Sequence, residues 1–261
     1  MSPFLLLALL SSLTALADEN ITAAGYAAAG LQAAASTGVL PPYCHDCEVN
    51  AKDSVTVCLM RELNGPCEAH TFSCNFTPQE KAAASPWWIP GFRLRQQAPS
   101  TNMGVGQQHF SFLSGPTGKL ATMGLYPCLG ISLINPSCGH AGLAHVDVQD
   151  PTTVFMDMTP ELQRHGCRPQ DTSVFMLLSN LVDEKRPGAK READTLYYRQ
   201  LVCHAGRYFP GSNIKVLLKT KHAGESNDMF INRTPTGFSM DIANSATPGA
   251  SMRVDYSSTL P

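Results

Sequence analysis

The stretch TMGLYPCLGISLINPSCGHAGLAHVDV, residues 122–148, decides how the rest of the chain is read. Two apolar runs, Leu129 to Ile134 and Ala141 to Val148, flank Asn135-Pro136-Ser137-Cys138-Gly139, a cluster of turn-forming residues. That pattern predicts a β-hairpin. Facing residues of an antiparallel hairpin share a constant index sum. A turn centred between Pro136 and Ser137 sets that sum at 273 and puts Cys128 opposite His145. Facing side chains project to the same side of a sheet, with Cβ atoms about 4.5–5.5 Å apart. A thiol and an imidazole so placed form the couple that cysteine hydrolases use. On the same register His140, the rival base, faces Leu133, five residues along the strand from Cys128 and roughly 16 Å away at about 3.3 Å per residue. The plain alternatives are a buried or disulfide-bonded Cys128 and a satisfied core histidine at 145.

Strand-like runs continue outward from the hairpin. Gln108 to Leu113 precedes it, and Ser173 to Leu178 follows. Arg191 to Ala205 has helical length, with Leu196, Tyr197, Leu201 and Val202 near a 3.6-residue period. Ile214 to Leu218 reads as a strand. Asp228 to Asn232 and Gly237 to Ile242 read as a second hairpin around Arg233-Thr234-Pro235-Thr236. This order predicts an α+β fold, with a β-sandwich-like core and flanking helices over residues 81–261.

The N-terminal third reads differently. Phe4 to Leu16 is apolar and ends in Ala15-Leu16-Ala17, so residues 1–17 are expected to be a secretory signal peptide. Residues 18–40 are rich in Ala, Gly, Ser and Thr, as in a linker or propeptide. Residues 41–80 carry five of the nine cysteines and few bulky apolar residues, which predicts a small disulfide-rich subdomain. The cluster Cys44, Cys47, Cys67, His70 and Cys74 leaves zinc as the competing reading. Pro86-Trp87-Trp88-Ile89-Pro90 reads as packing between the two parts, or as an exposed patch for a partner. Three sequons begin at Asn20, Asn75 and Asn232.

Composition sets limits. A formal charge of -2 supplies no basic field for nucleic acid. No second apolar segment reaches membrane-spanning length, so the mature form is expected to be secreted and not membrane-spanning. Nine cysteines fit an oxidising compartment, and the odd count leaves at least one outside any set of intramolecular pairs.

Residues 122–136, followed by Gly142-Leu143-Ala144-His145, resemble the core of the chemotaxis receptor glutamine deamidases (CheD). In that family a Thr precedes a Leu-Gly-x-Cys element, an apolar strand, a turn and a strand carrying His. A similar Cys-to-His pattern is found in the N-terminal asparagine amidases, and the wider fold is shared with the necrotizing-factor toxins. The resemblance implies Cys128 as nucleophile, His145 as general base and Thr122 as the residue that orients His145 or positions the substrate amide. It implies hydrolysis of a glutamine carboxamide on a protein substrate through a thioester, with no metal or organic cofactor. Tyr126-Pro127 stands where the family has Gly-Ser. Pro127 has no N–H, which leaves the Cys128 N–H for an oxyanion. Three functions remain open on this scaffold: a secreted protein-glutamine deamidase, an amidase, transglutaminase or peptidase using the same site, and a non-enzymatic binding module.

Overall fold

Leu129–Asn135 is buried at every position. A strand apolar on both faces needs a packing layer on each side. The computed structural model supplies both. It describes residues 53–82, 93–99, 101–113, 115–126, 128–147, 153–181, 189–209, 214–221, 225–247 and 249–257. The expected signal peptide, the expected linker and the Trp87-Trp88 segment lie outside these residues.

The strands are β1 (Ser54–Met60), β2 (Glu68–Ser73), β3 (Arg95–Gln96), β4 (Asn102–Gly104), β5 (His109–Phe112), β6 (Gly118–Leu125), β7 (Leu129–Asn135), β8 (His140–Val146), β9 (Ser173–Leu181), β10 (Ile214–Lys221), β11 (Asn227–Thr234), β12 (Gly237–Asn244) and β13 (Ser251–Ser257). The helices are α1 (Pro78–Ala82), α2 (Val154–Arg164) and α3 (Ala189–Tyr208). An eight-stranded sheet runs β2-β1-β10-β9-β7-β8-β5-β3, and a five-stranded sheet runs β13-β12-β11-β6-β4.

Period two divides each central strand between two cores. On β7, Leu129, Ile131 and Leu133 face α2 and α3. They pack with Phe155, Met158 and Leu162 of α2 and Leu201, Val202 and Ala205 of α3. Ile134 faces the five-stranded sheet, with Leu120, Met229, Ile231, Met240 and Val254, and Cys128 lies in the same cluster. Each fully buried Leu or Phe contributes roughly 1.5–3 kcal/mol. The result is an α+β fold with a sandwich of two sheets and helices on the outer face of the larger one, as expected from the element order.

Residues 54–73 are not set apart as a cysteine-rich appendage. β1 pairs in parallel with β10, with Cys58 beside Lys215, and β2 pairs antiparallel with β1. The run Val55, Val57, Cys58, Leu59 and Met60 has enough apolar surface to join the main core. Cys74, counted above among zinc ligands, is bonded to Cys203 of α3. Cys58 is disulfide-bonded as well. A second bridge, Cys138–Cys167, ties the β7–β8 turn to the segment after α2. Helix α2 was not foreseen: Pro160 sits inside it and masks its periodicity, although Val154, Phe155, Met158 and Leu162 form one buried stripe.

Candidate active site

The β7–β8 hairpin forms, but its register differs from the expected one. Observed pairs run from Leu129 opposite Val146 to Asn135 opposite His140, an index sum of 275. A sum of 273 requires a two-residue loop at Pro136 and Ser137. Such loops need a positive φ at the first central residue, and proline is locked near -65°. The chain therefore uses residues 136–139, with Gly139 at φ 71° and the Asn135 side chain accepting the Cys138 N–H at 3.1 Å.

The correction moves the partner of His145 by two residues. His145 faces Gly130 on β7 and His109 on β5. Cys128 precedes the strand and sits diagonal to His145. Diagonal neighbours are about 7–8 Å apart at Cα and remain within reach of long side chains. The side expected for both residues is kept: Ala141 and Leu143, in step with His145, line the same inter-sheet cluster that holds Cys128. Gly130 leaves the space opposite His145 to the second sheet. A Cβ there would lie 2.1 Å from Met229 Sδ and 2.8 Å from Leu125 Cδ1.

Thr122 reaches the site from the five-stranded sheet and is fully buried. Its Oγ1 lies 2.7 Å from His145 Nδ1 and 3.0 Å from the Val105 carbonyl oxygen. A hydroxyl has one proton, and a carbonyl can only accept. Thr122 therefore donates to Val105 and accepts from His145 Nδ1–H. That assigns the tautomer and leaves the lone pair on Nε2. Nε2 is buried and has no hydrogen-bond partner among the described residues. Burial, with a smaller contribution from His109, lowers the His145 pKa to about 4. The ring is neutral near pH 7. Burial thus favours the neutral ring, and Cys128 lies on the same inter-sheet side.

Cys128 retains its thiol and is buried. Gln107 Nε2 donates to its sulfur at 3.7 Å and to Asp147 Oδ2 at 2.5 Å. Gln107 is exposed, while His109, Tyr126 and Asp147 are half-buried. Gln107 thus links Asp147 to the Cys128 sulfur, and His109 is the cross-strand neighbour of His145. His140 is elsewhere. It lies at the opposite end of β8, five residues from His145 and on the other face, with its ring stacked on His165 at 4.0 Å between centroids. Among the described residues no three His, Cys, Asp or Glu side chains converge as metal ligands, and no helix is long and apolar enough to cross a membrane.

No family model and no curated protein sequence matches the chain. Solved structures to which parts of the chain are similar include two bacterial proteins. The Bacillus licheniformis hypothetical protein YfiH is 15% identical, covers 52% of this chain and 66% of its own, and has a TM-score of 0.32. YlmD from Geobacillus stearothermophilus is 22% identical, covers 42% of this chain and 50% of its own, and has a TM-score of 0.29. The match thus spans just under two-thirds of one protein and half of the other. The family-model and curated-sequence comparisons give no match to CheD, and that resemblance rests on the residues of the 122–145 stretch and the order of elements after it.

Sequence reasoning named Cys128, His145 and Thr122; Thr122 and His145 meet in a hydrogen bond, and Cys128 lies on the same inter-sheet side. It did not name Gln107, His109 or the Val105 carbonyl. His109 opens β5, which joins β8 only through sheet pairing at a separation of 36 residues, His109 to His145, and Val105 and Gln107 lie in the connection between β4 and β5. The run Gln107-Gln108-His109 carries no spacing motif that marks it.

Proposed function

We propose that this chain is a secreted cysteine amidohydrolase that deamidates glutamine side chains of proteins. The observation that carries the reading is the hydrogen-bond chain Val105 carbonyl–Thr122 Oγ1–His145 Nδ1. It orients a neutral imidazole with its basic nitrogen bare, on the inter-sheet side shared with Cys128. Base, orienting hydroxyl and thiol on three adjacent chain segments match the requirements of nucleophilic catalysis. The disulfides Cys74–Cys203 and Cys138–Cys167 support an oxidising compartment.

In the reaction, His145 Nε2 takes the Cys128 proton as sulfur bonds to the carboxamide carbon. The carbonyl π pair moves to oxygen, where the Cys128 backbone N–H is the nearest sequence-given donor. His145 then returns its proton to nitrogen, the C–N bond breaks and ammonia leaves a thioester. Water adds to the thioester carbon and gives a proton to His145. The C–S bond breaks, and the thiol regains its proton. Amide and water become carboxylic acid and ammonia.

The test is mass spectrometry of a glutamine-bearing protein substrate. Deamidation appears as a gain of about 1 Da at glutamine, and Cys128→Ser abolishes it. A gain that persists in Cys128→Ser contradicts the assignment. Adding a primary amine separates transglutamination from hydrolysis. A chain whose Cys128 resists alkylation in the native state is instead a binding module on this scaffold.

A further inference from the structure

The layer beneath β7 is built from β6, β11 and β12. Gly130 lies over Met229 of β11. Two residues on, Ser132 Oγ contacts Met240 Sδ at 3.3 Å, and Met240 is the cross-strand partner of Ile231. Gly130 also lies over Leu125, three residues before Cys128 in the chain. Leu125 is the cross-strand partner of Asn227, where the pairing of β11 with β6 shifts register between Asn227 and Met229. Cys128 lies two residues before Gly130 and on the same inter-sheet side, so Asn227 lies toward that end of β7.

Asn227 is fully buried. Neither Nδ2 nor Oδ1 has a hydrogen-bond partner among the described residues. Its neighbour Asp228 is half-buried and accepts the Gly124 N–H at 3.0 Å. Alternation along the strand keeps Asn227 on the interior side with Met229. Burying both halves of an amide without partners is unfavourable, and such groups call for a specific explanation. An unpaired donor beside an unpaired acceptor is the complement of a primary carboxamide, which presents the same two groups in reverse.

We infer that Asn227 is the substrate-recognition residue of this site, pairing its side-chain amide with the primary carboxamide that Cys128 attacks. Oδ1 accepts a substrate N–H, and Nδ2 donates to the substrate carbonyl oxygen. A carboxylate product turns an oxygen toward Oδ1 and is expelled, and tertiary amides and esters lack the required N–H. The Nδ2 bond strengthens as the carbonyl oxygen gains charge. This inference rests on the reading of Cys128 as nucleophile.

The test compares two alkylating reagents on the native full chain, iodoacetamide and N,N-dimethyliodoacetamide, with Cys128 labelling read by peptide mass spectrometry. After normalisation to a free cysteine peptide, Cys128 is expected to favour the primary amide roughly tenfold, the value of one or two hydrogen bonds. Asn227→Leu should erase that preference, leave labelling by the tertiary reagent within about twofold, and keep or raise the melting temperature, because it removes unsatisfied polar atoms. As a measure that needs no variant, N-acetylglutamine methylamide should protect wild-type Cys128 from the tertiary reagent, while the glutamate counterpart should not. Equal normalised rates, a preference that survives Asn227→Leu, or equal protection by both peptides overturns the role of Asn227. Failure of both reagents to label Cys128 overturns the nucleophile assignment itself.

Discussion

The two ends of the β7–β8 hairpin carry one histidine each, and they are built for opposite purposes. At the open end His145 lies between the sheets, held through Nδ1 by a buried hydroxyl of the second sheet. At the turn end His140 faces the helical layer and stacks on His165. His165 in turn meets Glu161, which is also bonded to Arg164. The turn is further locked by Cys138–Cys167. Burial lowers the pKa of both rings, and at His140 the charges of His165 and Arg233 add to it. A depressed pKa alone therefore does not distinguish a base from a packed ring. The difference is made by which nitrogen is held, and on which face of the strand the ring stands.

The largest expected effect falls on the open end. Cys128→Ser and His145→Gln should each reduce deamidation by about two to four orders of magnitude, in the range of lost general-base catalysis. His140→Gln should change turnover less than about threefold by the same measure, since it faces Asn135, seven residues along the sheet from Cys128 and roughly 23 Å away at about 3.3 Å per residue. Equal losses at both histidines would erase the contrast. Thr122→Val keeps shape and removes the hydroxyl. It should slow turnover by roughly tenfold to a hundredfold while costing about 1–3 kcal/mol, because a buried N–H loses its acceptor. Activity assays beside thermal melts separate those two consequences.

The turn end responds in stability instead. Opening Cys138–Cys167 by double Ala substitution should cost about 3–4 kcal/mol for a loop closed at a separation of 29 residues. Cys128 chemistry should persist below the new melting temperature. A smaller change comes with pH. Unfolded histidine titrates near 6.5, and folded His145 near 4. Between those values the unfolded chain binds a proton that the folded chain does not. Its contribution, on the order of 3 kcal/mol, is complete above pH 6.5 and lost as pH falls to about 4. Chemical denaturation at a series of pH values checks this slope. Turnover that needs the neutral ring should hold down to about pH 4 and fall below it.

Much of the architecture was legible in the chain. The β5, β7, β8, β9 and β10 runs and the long α3 helix follow from apolar runs and a 3.6-residue period. The hairpin was legible and its register was not, although the deciding fact was present: Pro136 at the first position of a two-residue loop excludes that loop. Strands β1 and β2 were hidden by the cysteines around them, which suggested an appendage. The choice between appendage and sheet depends on β1 pairing with β10, more than 150 residues away. The site was half legible for the same reason. Cys128, Thr122 and His145 share one stretch, whereas Gln107, just before β5, joins it only through the pairing of β5 with β8.

The most direct test of the account is the long-range proton–nitrogen NMR spectrum of histidine-labelled protein, followed from pH 7 to pH 4 before and after alkylation of Cys128. The account predicts a neutral His145 with a protonated Nδ1 and a bare Nε2, titrating near 4, whose Nε2 signal moves when the thiol is blocked. A ring bare at Nδ1, a titration near 6.5, or an Nε2 signal indifferent to alkylation contradicts it.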